Sequence, residues 1–318
     1  MAEKFIARQF GGCAVVCQVA GNAALEEGLP EAMTTPANQL RRLLEAPGIH
    51  TMPCCFDALS ARLIERAGFP LTFMSGFAVA ASRLAVPDTG VISYGEVLDQ
   101  GRNICDAVSI PVIGDADTGY GGPANVQRTI RGYAQAGFAC AMIEDQVAPK
   151  RCGHTRGVEV VGRDEARARL QSALDARNAG ADILVMARTD ACKTLGIDEA
   201  IERAQAFHEL GADIVFVEAP GSEEQMRRIC GEVPGPLMAN MVEGGETPLL
   251  APAVLEEIGY AIAAYPLTLL SMSVHAMIEG LAALGRGETP PRRVDFEQLR
   301  EIVGFSEYDE ISQRYGSD

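Results

Sequence analysis

Residues 144–154 read Glu-Asp-Gln-Val-Ala-Pro-Lys-Arg-Cys-Gly-His and place two acids, two fixed cations, a thiol and an imidazole in one short run. The run follows the apolar residues 138–143, where a buried strand would hand over to a loop, and that is where a barrel enzyme carries its site. A charged loop is often no more than a solvated surface. Cys152 argues for more than that, because Arg151 beside it and Lys150 near it are neighbours that stabilise a thiolate or aim an anion at it. Cys152 and His154 are two residues apart, but no second Cys or His pair stands at zinc-site spacing, so zinc does not fit. His50, His208 and His275 fall inside strand-like or helix-like stretches and carry no chemistry of their own.

Other reactive groups stand just past short apolar runs. They are Ser75, Asp115 and Asp117, Glu144, Arg188, Glu218 and Asn240. If those runs are parallel strands of one barrel, these groups converge with Cys152 on a single mouth. Three carboxylates cannot share one mouth in ionised form at low cost without a cation among them. Mg²⁺ or Mn²⁺ suits oxygen ligands of this type, although Asp-x-Asp alone also fits a solvated turn. Arg188 offers a planar fork for a carboxylate, with Asn240, Thr247, Ser75 and the Gly76 amide for further polar edges. Such a clamp suits cleavage of a carbon–carbon bond beside a hydroxyl. A 2-oxo acid such as pyruvate or glyoxylate leaves on one side, and a carbanion that needs a proton leaves on the other. A thiol near its ordinary pKa of about 8.5 can supply that proton.

The elements that must position these groups repeat. Gly68, Gly137, Gly180, Gly211 and Gly259 each end a helical stretch and precede a short apolar run, as a left-handed helix C-terminus requires. Short continuous apolar runs between helices imply parallel strands covered on both faces. Residues 50–53, 111–113 and 237–239 bring the number of runs to eight. Pro123 opens a helix with Val126, Ile130 and Tyr133 on one face; Asp164-Glu165 and Asp198-Glu199 open two more. The spacing predicts an α/β fold, a closed (β/α)8 barrel; an open doubly wound sheet lacks its glycine fingerprint after the first strand. The stretch 267–284 is apolar on nearly every face and predicts burial in an oligomer.

Two motifs carry a family resemblance. Lys150-Arg151-Cys152-Gly153-His154 resembles the lyase-branch signature of the isocitrate lyase and phosphoenolpyruvate mutase superfamily. Asp115-Ala116-Asp117-Thr118-Gly119-Tyr120-Gly121 resembles its metal-binding loop. Ser75-Gly76-Phe77, Pro87-Asp88-Thr89-Gly90, Arg188-Thr189-Asp190, Glu218-Ala219 and residues 240–248 follow in the family's order. The resemblance implies Mg²⁺, or Mn²⁺, held by Asp115, Asp117 and Glu144 directly or through water. It implies Cys152 as general acid, with Arg188, Glu218 and His154 as further catalytic groups and Glu218 supporting either the metal waters or Arg188. The implied substrate-binding set is Ser75, Gly76, Phe77, Asp88, Lys150, Arg151, Gly153, Arg188, Asn240, Thr247 and Pro248, under a lid formed by residues 145–160. It also implies an eighth helix swapped between subunits of a homotetramer, a dimer of dimers. Mutase and phosphonopyruvate hydrolase members carry out phosphorus–carbon chemistry and lack the Cys-Gly-His end of the loop, so a carbon–carbon lyase is the expectation. The chain is too short for the insertions of typical isocitrate lyases and looks like the 2-methylisocitrate lyases, 2,3-dimethylmalate lyases and oxaloacetate hydrolases. Asn240-Met241-Val242-Glu243-Gly244-Gly245 leans towards the last two. An oxaloacetate hydrolase would yield oxalate and acetate with the same metal and arginine, and an inactive barrel paralogue is the non-enzymatic alternative.

Composition sets the outer bounds. With 318 residues, 47% hydrophobic and 22% charged, the chain is of globular type. A net charge of −16 without a dense basic cluster excludes nucleic acid as a partner. The expected partner is a small carboxylate. Nine scattered cysteines argue for a reducing cytoplasm and against a disulfide frame. Residues 5–21 are too interrupted for a membrane span or a signal peptide. The expected organisation is an extension over 1–35, with Met33 as an alternative start, a catalytic barrel over 36–287, and a linker with a polar tail over 288–318.

Overall fold

The computed structural model describes residues 34–290 and 292–316. Met33 and nearly all of the expected 1–35 extension lie outside the described residues. Eight strands run in sequence order: β1 (His50–Cys55), β2 (Thr72–Met74), β3 (Val112–Asp115), β4 (Cys140–Glu144), β5 (Leu184–Thr189), β6 (Ile214–Val217), β7 (Leu237–Asn240) and β8 (Ile262–Tyr265). Every neighbouring pair is parallel and β8 closes on β1, so the sheet is the expected barrel. Along β3 to β6 every residue is buried. One face looks into the barrel and the other is covered by helices, which is why these strands read as unbroken apolar runs. The five handover glycines all take positive φ, between 86° and 115°, as helix C-termini do.

Before β3 stand helices α1 (Pro36–Glu45), α2 (Ala58–Arg66), α3 (Gly76–Leu84) and α4 (Tyr94–Asp106); between β3 and β8 stand α5 (Pro123–Gln135), α6 (Arg163–Asn178), α7 (Ala191–Leu195), α8 (Ile197–Leu210), α9 (Glu223–Glu232) and α10 (Pro252–Ile258). The predicted inner faces hold. Val126, Ile130 and Tyr133 of α5, Ala166, Leu170 and Ala173 of α6, and Ala200, Ala204 and Phe207 of α8 are all buried.

Helix α1 is a plug. Thr35 caps it, its side chain accepting from Asn38 N–H, and Pro36 occupies its first turn. Leu40 is fully buried and joins Met52, Leu71, Ile113, Ile214 and Ile262 in the barrel interior. His50 Nε2–H donates to Leu43 O at 2.8 Å, which ties the plug to β1. Higher in the same interior, Phe73, Met142, Phe216 and Met238 form the floor of the cavity at the mouth.

The chain then leaves the barrel through α11 (Thr268–Gly285), followed by α12 (Phe296–Ile302) and α13 (Phe305–Tyr315). Of α11 only Ala283 is buried, while Met272, Met277, Ile278 and Leu281 are each more than half exposed. The tail differs from the polar segment expected. Asp295 and Gln298 form a capping box, and Phe296, Leu299, Val303, Tyr308, Ile311 and Tyr315 recur at helical spacing and stay exposed. Polar residues between those positions hide the period in a plain composition count. Arg62 and Arg66 of α2 hold α12 by donating to the carbonyls of Ile302 and Glu301.

Leu40 should be the key to the lower closure of the barrel. Leu40→Ala is expected to lower the unfolding free energy by about 2–5 kcal/mol in urea, whereas truncating the exposed Leu195 should cost under about 0.5 kcal/mol. Equal small effects would mean that α1 does not plug the barrel.

Candidate active site

The C-terminal strand ends deliver the charged groups to one cavity. It is walled by Ser75, Phe77, Asp88 and Asp115, by Lys150 through His154, and by Arg188, Glu218 and Asn240. Ser75 caps α3, its Oγ accepting from Ala78 N–H at 3.3 Å, and so sits where the helix points its free amides. Gly76 is required by close approach: a Cβ there would stand 2.4 Å from Asp115 Oδ2. Asp115 is fixed from behind as well, since Tyr133 OH donates to its carbonyl at 2.6 Å.

Arg188 is buried and carries the charge balance of the mouth. Its Nε and Nη2 donate to Asp190 at 2.8 and 2.7 Å, Nη2 also lies 3.2 Å from Glu218, and Nε lies 3.5 Å from Glu144. The fork expected to grip a substrate carboxylate is therefore closed on Asp190. Only Nη1 has no hydrogen bond among the described residues. Asp190 stands two residues along, and the i, i+2 alternation of a strand brings it to the same side.

Glu218 ties three elements together. It lies against Arg188 and accepts from Asn240 Nδ2 at 3.1 Å and from Ala219 N–H at 2.9 Å. His154 Nε2 lies 3.1 Å from it, close but off the line of a good hydrogen bond. Burial works against the Glu218 carboxylate, yet Arg188 and His154 hold its pKa down at about 2. Of the two roles expected for Glu218, support of Arg188 is the one with contacts.

Two side chains already supply cations among the acids. Lys150 Nζ sits 2.6 Å from Asp88 and 2.8 Å from Asp117, nearly out of reach of solvent. The charge argument for a metal is thus weaker than the sequence alone suggests, and among the described residues no three acids, cysteines or histidines are drawn together into a ready ion cage. The donor set nevertheless fits a hard divalent ion. Glu144 Oε1 is buried with no hydrogen-bond partner, and burial pushes the Glu144 carboxyl well above its ordinary range against the pull of Arg188. Burial likewise pushes Asp117 up to about 6 against Lys150. Added positive charge beside Asp115 and Glu144 would relieve both.

The loop after β4 lies over the cavity. Gly153 packs so tightly that a Cβ would meet Arg188, Glu218 and Asp190 within 2.8 Å. His154 Nδ1 accepts from Glu246 N–H at 3.1 Å, and Lys193 Nζ donates to Thr155 O at 3.1 Å, so α7 and the loop after β7 hold this loop in place. Cys152 is half-buried, and burial raises its thiol pKa above the ordinary value. The direction is away from a stabilised thiolate, one of the two effects expected of its neighbours. The Arg151 side chain is exposed, its guanidinium facing Gly157, and Lys150 is spent on Asp88 and Asp117. Thr247 and Pro248 do not line the cavity; Thr247 is buried with an unpartnered hydroxyl, and Pro248 is half-buried beside it. Asp117 and Glu144 lie one contact behind the wall, touching Lys150 and Arg188.

Sequence reasoning passed over the layer beneath. Asp145 is buried and accepts from Thr189 Oγ1, Asp190 N–H and Arg203 Nη1 at 2.7, 2.9 and 3.0 Å. Arg169 Nη1 donates to the carbonyls of Glu144 and Gln146, both at 2.8 Å. An arginine on the inner face of each of α6 and α8, among alanines and leucines, was the available signal.

A family model described as phosphoenolpyruvate phosphomutase matches residues 40–284. The chain is 41% identical to a 2,3-dimethylmalate lyase of Eubacterium barkeri, covering 88% of this chain and 98% of that one. Oxaloacetate acetylhydrolase in complex with 3,3-difluorooxalacetate superposes with a TM-score of 0.86 at 34% identity, over 90% of this chain and 98% of the other. Phosphonopyruvate hydrolase in complex with oxalate and Mg²⁺ superposes with a TM-score of 0.79 at 29% identity, over 88% and 99%.

The depressed Glu218 carboxyl has a signed consequence. Its pKa lies below the ordinary 4.5, so the stability it contributes is fully present above pH 4.5 and is lost as pH falls towards about 2. Glu218→Gln should be less stable than wild type near neutrality and should lose less stability across that acid window. Urea unfolding at several pH values would show it, and parallel curves would remove Glu218 from the charge balance.

Proposed function

The chain belongs to the phosphoenolpyruvate mutase and isocitrate lyase superfamily and is an enzyme of its lyase type, and from that premise we propose that it cleaves a branched 2-hydroxydicarboxylate of the 2,3-dimethylmalate type. A neighbouring choice is 2-methylisocitrate. The observation that carries this reading is that Cys152 and Arg188 line the same cavity, with burial raising the Cys152 thiol pKa. The floor of Phe73, Met142, Phe216 and Met238 supports it, because apolar side chains suit the methyl groups of a branched substrate.

A divalent ion, Mg²⁺ by analogy with the phosphonopyruvate hydrolase complex, would be held by Asp115 and Glu144, with Asp117 behind them, and would supply Lewis-acid stabilisation of the 2-oxo acid product. Arg188 Nη1 and Asn240 bind the substrate carboxylates, with Ser75 and the Gly76 amide at the entrance to α3. The hydroxyl proton leaves to a carboxylate of the wall, and the carbon–carbon bond breaks towards the other fragment. That fragment leaves as a carboxylate-stabilised carbanion, and Cys152 Sγ–H protonates it. A thiol held above its ordinary pKa stays loaded with that proton at neutral pH, which is what a general acid needs. Glu218 and His154 keep Arg188, Asn240 and the lid in register.

A second reading has support of its own. The close superposition on oxaloacetate acetylhydrolase favours splitting oxaloacetate to oxalate and acetate, and that substrate has no methyl group for the apolar floor. Phosphorus–carbon chemistry has less support, because the loop after β4 carries Cys152-Gly153-His154. An inactive paralogue would have no use for the thiol and Arg188 at one cavity.

We further infer a homo-oligomer assembled through α11. By length and composition this helix could also cross a membrane, but it carries Ser271, Ser273, His275 and Glu279 and follows directly on a barrel strand. A second copy, exchanging α11 within a dimer of dimers, covers its apolar faces better.

Two measurements test these readings. Cys152→Ser should lower turnover of 2,3-dimethylmalate by roughly 10²–10⁴, the usual share of a positioned general acid, and move the substrate Kd by less than about tenfold. A serine variant within tenfold of wild-type turnover would return Cys152 to a structural role. Met277→Asp should reduce the assembly state in light scattering; a wild-type monomer at micromolar concentration would end the oligomer reading.

A further inference from the structure

Gln146 holds the loop that carries the thiol without touching the cavity itself. It is 1% exposed and stands two positions past the end of β4. Its Nε2–H donates to Arg151 O at 2.9 Å, and its Oε1 accepts from Arg151 N–H at 2.8 Å. One side-chain amide thus takes both main-chain groups of the residue before Cys152, as a neighbouring strand would. The base from which it reaches is itself fixed. Gln146 pairs antiparallel with Val160, Val147 N–H donates to Glu159 O, and Val161 N–H donates to Asp145 O, so both ends of the loop are zipped together. Arg169 Nη1 donates to Gln146 O at 2.8 Å from below. On the far side of Cys152, Thr155 donates twice to Cys152 O, and Gly153 packs on Arg188 and Glu218.

We propose that Gln146 is a positioning residue for the Cys152 thiol, fixing the Arg151 peptide so that the next Cα–Cβ bond points into the cavity. The proposal rests on the reading of Cys152 as the general acid. Burying a primary amide is tolerable only while both its donor and its acceptor are satisfied, so the residue and the loop fold hold each other in one arrangement. Its effect is on orientation, which catalysis feels far more than binding does.

The test uses the full-length protein, 2,3-dimethylmalate with Mg²⁺, and iodoacetamide. Gln146→Leu removes both hydrogen bonds at similar volume. It should lower kcat by roughly 10–100-fold, as misplacement by about 1 Å can, and leave the calorimetric substrate Kd within about threefold. It should also raise the rate at which Cys152 is carbamidomethylated, read on its own peptide by mass spectrometry, by about tenfold or more as the loop opens locally. Gln146→Glu keeps the acceptor for Arg151 N–H and loses only the donor, so it should fall between wild type and the leucine variant; it decides by the same readouts if the leucine variant does not fold. Changes below about threefold in both kcat and alkylation would overturn the proposal, and so would a Kd that weakens in step with kcat. Alkylation needs no turnover. A Gln146→Leu protein that frees the thiol, beside a Cys152→Ser protein that stays active, would keep the positioning role and sink the acid role.

Discussion

The Arg188 guanidinium is buried in the barrel wall with Glu144, Asp190 and Glu218 around it and the Phe216 ring 5.3 Å away. A charge so enclosed is tolerated only while its partners stay in place, and each partner recruits the next layer. Asp190 donates its main-chain N–H to Asp145, which Arg203 of α8 neutralises. Glu218 brings in Asn240 from β7 and His154 from the lid. Glu144 anchors the end of β4, where Arg169 of α6 grips its carbonyl. The loop after β4, the strand ends and the helices are thereby fitted around one cation, and Cys152 is carried on the same frame.

Much of this was legible because barrel geometry leaves a strong mark on a sequence. Strands covered on both faces must be apolar throughout, and the glycines before them must take a left-handed turn, so eight runs and five glycines were enough to place the barrel. The convergence of Ser75, Asp115, Arg188, Glu218 and Asn240 then followed from strand polarity alone. The pairing inside the site was harder to read. Arg188 looked open to a substrate carboxylate because strand alternation puts Asp190 on its side but does not say that the two side chains pair. Lys150 looked like a substrate ligand, yet it closes on Asp88 and Asp117, which are distant in sequence. Arg151 adjoins Cys152 in sequence, but its side chain is exposed and its guanidinium lies beside Gly157. Burial, which no local pattern states, raises that thiol's pKa. The tail differs from expectation for a related reason: the apolar face of its helices is interrupted by charges at every turn and stays exposed among the described residues.

The chemistry follows from the division of the cavity. Charged groups gather at the rim, where carboxylates must be held, and aromatic and thioether side chains make the floor, where branches of a substrate would lie. Under the proposed reading, the Cys152 thiol on the same wall protonates the carbanion, and a pKa raised by burial suits an acid better than a nucleophile.

Proton NMR of the reaction in D₂O bears most directly on the central claim. Purified protein with Mg²⁺ and 2,3-dimethylmalate should yield pyruvate and propionate in equal amounts, the propionate carrying one solvent deuteron at the carbon where the bond broke. The claim is contradicted if neither 2,3-dimethylmalate nor 2-methylisocitrate is cleaved under conditions in which the same preparation splits oxaloacetate to oxalate and acetate.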